Sequence, residues 1–234
     1  MFRFKRFTIE QDRCAMKVGT DGVLLGAWVS LRPSDCRLLD VGTGTGVIAL
    51  MLAQRAPQAE VTAIDIDEAC AVQARGNADR SAWRARITVC CAPVQDYRTG
   101  LPFDLLVSNP PYYDRSLLPP DAGRTTARHA VSLDSAGLLA AANRLLAPEG
   151  RMAVVLPPPE AERFLAQAAG RFVLQRRTDV WTTPRSGVRR CLLEFVRDGM
   201  PVGEPAADRL VIEEAPNHFT EEYKLLTRDF YLKF

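Results

Sequence analysis

Long apolar runs are missing from this sequence: no stretch of its 234 residues approaches the about 20 that a membrane-crossing helix needs. The opening Met1-Phe-Arg-Phe-Lys-Arg-Phe7 is basic, but no apolar run follows it, so it does not read as a secretory signal. Together these absences point to a chain that stays in the cytosol. Histidine is scarce, with only His129 and His218, and the six cysteines, Cys14, Cys36, Cys70, Cys90, Cys91 and Cys191, form no C-x-x-C pair. No zinc or other metal site is therefore expected, and the cysteines read as free thiols. Cys90 and Cys91, adjacent at the end of an apparent strand, read as small packing hydrophobes. Strong charge is lacking too: a net charge of +2 excludes a globally basic nucleic-acid binder. There are no internal repeats and no low-complexity tract.

What is present is an ordinary globular composition, 47% hydrophobic and 25% charged. The length fits one α/β domain with a substantial core. Apolar runs at 37–41, 60–64, 86–90, 103–107 and 152–156 read as strands. Helical patterns at 47–56, 67–79, 133–146 and 160–169 alternate with them, and Pro148-Glu-Gly150 reads as a helix stop. Two longer strands, 172–181 and 189–196, follow. The loop between them holds Pro184, Ser186 and Gly187, too much for a tight hairpin. Alternation of this kind predicts an α/β, doubly wound, mostly parallel seven-stranded sheet whose last, helixless strand is antiparallel. Upstream, Phe2, Phe4 and Phe7 alternate with basic residues, which suggests a strand or extended arm; Thr20-Asp-Gly22 is a turn or helix start before an apolar helix at 23–29. Downstream, 199–207 reads as a Gly/Pro/Ala-rich linker, 210–212 as a short strand, and 220–230 as a helix begun by Thr220. The whole, 1–234, reads as a single domain: an N-terminal arm and lid segment (1–35), a core (36–198) and a C-terminal extension packed on it (199–234).

The chain is organised around Asp104-Leu-Leu-Val-Ser-Asn-Pro-Pro-Tyr-Tyr113. A branched apolar strand runs into Asn109-Pro110-Pro111, which ends it, because proline has no N–H for a ladder and pushes the residue before it into extended geometry. An amide, a proline carbonyl and two aromatic rings then sit at a strand end, where open α/β sheets bind ligands. An exocyclic amino group on a flat ring has two N–H donors and a poorly nucleophilic lone pair. The Asn109 side-chain oxygen and the Pro110 carbonyl can each accept one N–H, localising and aiming that lone pair. Tyr112 can stack on the ring and Tyr113 can close the other side. The bland alternative is a capped Pro-Pro turn with packing tyrosines.

A second motif, Asp40-Val-Gly-Thr-Gly-Thr-Gly46, follows the first strand. The dinucleotide pattern G-x-G-x-x-G fails here, since its third glycine would fall at Val47. Gly42, Gly44 and Gly46 let the backbone approach a ligand that any Cβ would obstruct. Asp65, about 20 residues on at the end of the second strand, matches the position that binds ribose hydroxyls.

Asn-Pro-Pro-Tyr at this place resembles the amino-methylating branch of class I S-adenosylmethionine (SAM) methyltransferases, which have a Rossmann-like fold. With the second tyrosine and Lys17-Val-Gly-Thr-Asp-Gly-Val-Leu-Leu-Gly-Ala-Trp28, the resemblance is more specifically to the bacterial tRNA1(Val) adenine-N6 methyltransferases. It spans nearly the whole chain, from Phe2 to Asp229-Phe-Tyr-Leu232, and implies methylation of the adenine at position 37 of a tRNA anticodon loop. It implies SAM as cofactor, with Asp40 an anion near the cationic sulfonium and amino group. Asp65 then lies at the ribose, and Lys17, Thr20 and Asp21 in a segment over the cofactor, although these three also suit a capped helix start. Asn109 would bind both the cofactor and the target base. The mechanism implied is direct in-line displacement, in which alignment supplies ~7–11 kcal/mol and Tyr112 stacking about 1–3 kcal/mol. The base must be flipped out of its stack. One departure stands out: where the family carries an acid after the third strand for the SAM adenine, this chain has Pro93, with Asp96 three residues on. Backbone groups near Ala92 are the expected replacement.

RNA contact is expected from local charge. Residues 1–17 carry five basic and two acidic side chains, and 171–190 carry six arginines against Asp179 alone. Arg185, Arg189 and Arg190, with Arg124 and Arg128 of the loop after Tyr113, are the candidate contacts; that loop, 114–130, which also holds Arg115, is a candidate lid or phosphate clamp. His129 and His218 match no catalytic constellation and read as surface or RNA-proximal. Rival readings are a guanine-N2 ribosomal-RNA methyltransferase, a protein-glutamine methyltransferase and a non-catalytic RNA-binding module. The second usually has a helical domain ahead of the SAM fold, and fewer than 40 residues precede Asp40 here.

Overall fold

A computed structural model describes residues 1–111, 133–201 and 203–234. Its sheet begins with five parallel strands, β3 (Arg37–Val41), β4 (Glu60–Asp65), β5 (Ile87–Cys91), β6 (Phe103–Ser108) and β7 (Leu146–Leu156). Strand β8 (Phe172–Trp181) pairs antiparallel with β9 (Val188–Arg197), and β9 pairs antiparallel with β7. An eighth strand, β10 (Ala206–Val211), adds parallel to β8, so the order is β10-β8-β9-β7-β6-β3-β4-β5. The seven expected strands are present and the helixless one is antiparallel. The eighth corrects the linker reading of 199–207: pairing at the sheet edge supplies the hydrogen bonds that Ala206, Ala207 and Asp208 lack propensity to seek.

Successive residues of the strands face opposite sides. Leu38, Val61, Leu105 and Val107 join one core with the helices α1 (Thr20–Trp28), α2 (Val47–Arg55) and α3 (Glu68–Asp79). Leu39, Val41, Leu106 and Val154 join the other with α4 (Ser135–Leu145) and α5 (Pro158–Ala168). Boundaries follow the caps: Asp67 accepts from the N–H groups of Ala69 and Cys70, and Asp134 from Gly137. Helix α4 ends at Leu145 and β7 starts at once, so Pro148-Glu-Gly150 belongs to a bulged strand; the β6–β7 register shifts there, and this corrects the predicted strand start at 152.

The aromatic arm folds back as a hairpin, β1 (Phe2–Arg3) against β2 (Thr8–Ile9), with Phe4 and Phe7 buried. The C-terminal part forms a second small hairpin, β11 (Glu213–Ala215) with β12 (His218–Phe219), and then α6 (Glu221–Thr227), capped by Thr220. Tyr223 and Phe230 enter the same core as α1, and the Lys5 N–H donates to the Phe230 carbonyl at 2.8 Å. A buried ion triad ties the loop after α1 to the sheet. Arg151 Nη2 is 2.7 Å from Asp35 Oδ2, its Nε is 3.5 Å from Glu194 Oε1, and Glu194 Oε2 accepts the Ser30 N–H at 3.0 Å. No described helix is long and apolar enough to cross a membrane, and all six cysteines are free thiols.

Candidate active site

Chain order turns around between β3 and β6: the sheet grows through β4 and β5 on one side and through β7 on the other. Ligands of open α/β sheets bind beyond the strand ends at such a crossing. The register sets Val41 beside both Ile64 and Ser108. The next residues, Gly42, Asp65 and Asn109, therefore leave three adjacent strands at one level. The Ser108 hydroxyl donates to the Val41 carbonyl at 2.8 Å and locks the two inner ends together. Asn109, half-buried, and Pro110, buried, follow Ser108 directly in the chain.

The glycine turn hangs from β4. The N–H groups of Gly42 and Thr43 both donate to the Ile64 carbonyl, at 2.8 and 3.0 Å, and the Gly44 N–H donates to Asp65 Oδ2 at 2.8 Å. Gly42 and Gly44 have φ of +71° and +55°, and a Cβ on either would meet no atom within 4 Å, so the turn leaves an open cradle. Gly46 differs. A Cβ there would come within 3.3 Å of Ala74 on α3, so this glycine serves helix packing rather than the open face.

Asp40 lies wholly buried beneath the turn. Its Oδ2 accepts from the Thr43 hydroxyl (2.6 Å) and from the Ala49 N–H in the first turn of α2 (3.1 Å). Its Oδ1 has no hydrogen-bond partner among the described residues. Burial pushes the carboxyl up to about 7, against the pull of those two bonds. A buried acceptor without a partner, under a cradle open to a ligand, suits a group that carries positive charge and N–H donors. These residues thus fit the sulfonium cofactor that the resemblance implies. Asp65 is nearly buried; Oδ1 accepts the Asp67 N–H at 2.9 Å, and burial raises its carboxyl as well.

Lys17 and Thr20 are exposed at the start of α1, whose N-cap is Gly19 with no side-chain cap bond. A Cβ on Gly22 would touch Val47 at 3.4 Å, which places this helix start against the start of α2, beside the glycine turn. Asp21 is ion-paired with Arg190 at 2.7 Å, so Arg190 is drawn into the fold, while Arg185 and Arg189 are exposed. The Ala92 N–H donates to the Asp65 carbonyl at 2.9 Å, so that donor is committed to the strand end; Asp96 is exposed. Tyr112, Tyr113, Arg115, Arg124, Arg128, His129 and the lid reading of 114–130 lie outside the described residues. His218 is exposed in the C-terminal hairpin, with Nδ1 3.1 Å from the Pro216 carbonyl. Among the described residues no cluster of three His, Cys, Asp or Glu side chains could hold a metal ion.

Three features escape the sequence reading. Asn77, 1% exposed, knits three elements: its Nδ2 donates to the carbonyls of Glu10 and of Thr45 in the glycine turn, both at 2.8 Å, and its Oδ1 accepts the Glu10 N–H at 3.0 Å. Gln73, one turn earlier, accepts the Arg13 N–H at 3.0 Å. Their signal was polar residues at i, i+4 beside Ala74 and Ala78. Ile66, directly after Asp65, is a large apolar side chain left 47% exposed at the strand end.

A model of the family described as Methyltransferase small domain matches residues 23–179. The tRNA1(Val) (adenine(37)-N6)-methyltransferase of Trichodesmium erythraeum is 44% identical, aligned over 100% of this chain and 98% of its own. The protein of the same name from Phocaeicola vulgatus is 46% identical over 99% of this chain and 97% of its own. In fold, the crystal structure of a predicted O-methyltransferase from Agrobacterium tumefaciens superposes with a TM-score of 0.70, covering 90% of this chain and 96% of that one at 22% identity.

Proposed function

The chain belongs to the methyltransferase small domain family and, within it, to the tRNA1(Val) (adenine(37)-N6)-methyltransferases, and on that premise we propose that it methylates N6 of adenine 37 in a tRNA anticodon loop, with SAM as methyl donor. The observation that carries this reading is the convergence of the Asp40 turn, Asp65 and Asn109-Pro110 at the ends of three neighbouring strands. We take the whole chain as one catalytic unit of class I type acting in the cytosol.

When bound, SAM supplies a methyl group on cationic sulfur. Around it, Asp40 Oδ1 offers the orphaned acceptor to positive charge, Asp65 retains lone pairs for ribose hydroxyls, and Ile66 presents an apolar surface to a flat ring. Lys17 and Thr20 stand where a segment covering the ligand begins. At the acceptor side, the Asn109 amide oxygen and the Pro110 carbonyl would accept hydrogen bonds from the two N6–H groups and favour the positive charge that develops there, one of the two protons then leaving to water. Holding the amine on a fixed line is where most of the acceleration arises. Tyr112 and Tyr113 are the residues assigned to stack on the flipped base, with Arg124, Arg128, Arg185 and Arg189 toward the phosphates.

The test offers SAM with a labelled methyl group to tRNA, ribosomal RNA and protein fractions and identifies the labelled product. Label in N6-methyladenosine from tRNA is expected. Label in N2-methylguanosine from ribosomal RNA, or in methylglutamine, replaces this reading with one of its rivals.

A further inference from the structure

Basic residues concentrate in two stretches, and the fold treats them differently. Of the six arginines at 171–190, Arg177 pairs with Asp179 and Glu162 (both 2.8 Å) and Arg190 with Asp21. Arg176 lies over the Trp28 ring at 4.4 Å, and Arg171 donates to the Gln167 carbonyl. That leaves Arg185 and Arg189 in this stretch. The N-terminal hairpin instead walls a groove of about 530 Å³ whose lining includes Arg3, Lys5, Arg6 and, from α3 and its C-cap, Asn77 and Arg80.

The groove is built, not frayed. Phe4 and Phe7 stack at 4.6 Å beneath the hairpin, and the Arg6 guanidinium rests over the Trp83 ring at 5.6 Å. Lys5 Nζ donates to the Arg228 carbonyl at 2.7 Å, and Arg80 pairs with Glu10 at 3.0 Å. Arg3 and Arg6 are exposed and have no carboxylate partner among the described residues. A guanidinium without a carboxylate presents a planar fork that matches phosphate oxygens, and a pre-ordered one loses less entropy on binding. Asn77 lines the groove and also bonds to Thr45 of the glycine turn. The groove therefore comes within one side chain of the cofactor cradle.

We propose that this groove receives the phosphate backbone of the RNA substrate, with Arg3 and Arg6 making the contacts. RNA that delivers a base to the strand ends then runs on across the N-terminal hairpin. This assignment rests on the RNA-methylating reading above and gives the basic stretch at 1–17 named contacts; the sequence marked that stretch by its charge but placed the contacts at Arg124, Arg128, Arg185, Arg189 and Arg190.

The test is tRNA affinity across a salt series for the double variant Arg3→Glu/Arg6→Glu, with SAM affinity measured alongside by calorimetry. Each lost phosphate contact weakens binding and flattens the log–log salt slope by about 1. The double variant should bind tRNA roughly tenfold or more weakly, with a slope shallower by about 2 and parental SAM affinity. Arg163→Glu, at a side chain 71% exposed on the other face of the sheet, should bind tRNA as the parent does. Parental affinity and slope in the double variant overturn the proposal, as does a loss confined to Arg185→Glu/Arg189→Glu. Methylation of tRNA by the parent is assayed in the same preparations. Its absence refutes the underlying reading, whereas unchanged binding by the double variant, with parental methylation intact, refutes the groove alone.

Discussion

At the scale of single residues, Asp40 joins a structural duty to a chemical one. One oxygen holds the start of α2, and the other has no hydrogen-bond partner among the described residues. Its carboxyl rises from 3.8 to about 7 on folding because of burial. Between those values the folded chain holds a proton that the unfolded chain has released. Stability from this group is therefore full below 3.8 and is lost as pH climbs to about 7. Positive charge on the ligand acts the other way and favours the carboxylate. SAM affinity should accordingly rise with pH to a plateau above about 7 and be about tenfold weaker at about pH 6, with close to one proton released per SAM bound. Calorimetry in two buffers of different ionisation heat measures both, and Asp40→Asn should flatten the dependence. Affinity that ignores pH in the parent removes Oδ1 from the cofactor site. Asn109 carries the complementary prediction. With the Asn109 amide assigned to the target base, and any cofactor contact left to its backbone, Asn109→Ala should leave SAM affinity near parental and slow single-turnover methylation by roughly 100-fold, as loss of one preorganised polar group at a reacting centre does. Asn109→Asp keeps an acceptor and should fall between the two. Parental rates in both variants reduce Asn109 to a turn residue.

At the scale of elements, β3 was legible because Arg37–Val41 is a short apolar run closed by an acid and a glycine turn, and α3 because Asp67 caps it. The strand ends were legible for the same reason, since proline and glycine state where a ladder stops. Contacts between distant residues were not. Arg151 sits in β7 just before the apolar run read at 152–156, and its partner Asp35 is 116 residues away, so no local pattern announces a buried pair. Asn77 and Gln73 are polar residues of a helix with no local mark of burial, and only the return of the arm at 10–13 turns that face inward. The triad gives this scale its prediction. Removing one member of a buried ion pair leaves the other uncompensated and costs about 3–5 kcal/mol. Asp35→Ala should lower the urea midpoint accordingly with little change in slope. A shift below about 1 kcal/mol would show that water reaches Arg151 and that the loop after α1 is held by other contacts.

At the scale of the whole molecule, the sheet order places the turnover point of the chain between β3 and β6, and the residues with chemical character gather there although they are far apart in sequence. The fold was readable from alternation alone, apart from the start of the edge strand β10, Ala206 to Arg209, where pairing rather than composition makes a strand; its end at Leu210-Val211 falls in the short strand read at 210–212. The choice of adenine over guanine or glutamine was not readable from alternation; it came from Asn-Pro-Pro-Tyr-Tyr and the segment at 17–28, and the near full-length identity to named relatives agrees with it. The most direct measurement is to incubate a single purified tRNA with enzyme and SAM, digest it, and locate the added mass by oligonucleotide-resolved mass spectrometry. The expected result is one methyl group, on N6 of the adenine at position 37. A methyl group on another base or position, or none while SAM binds normally, contradicts it.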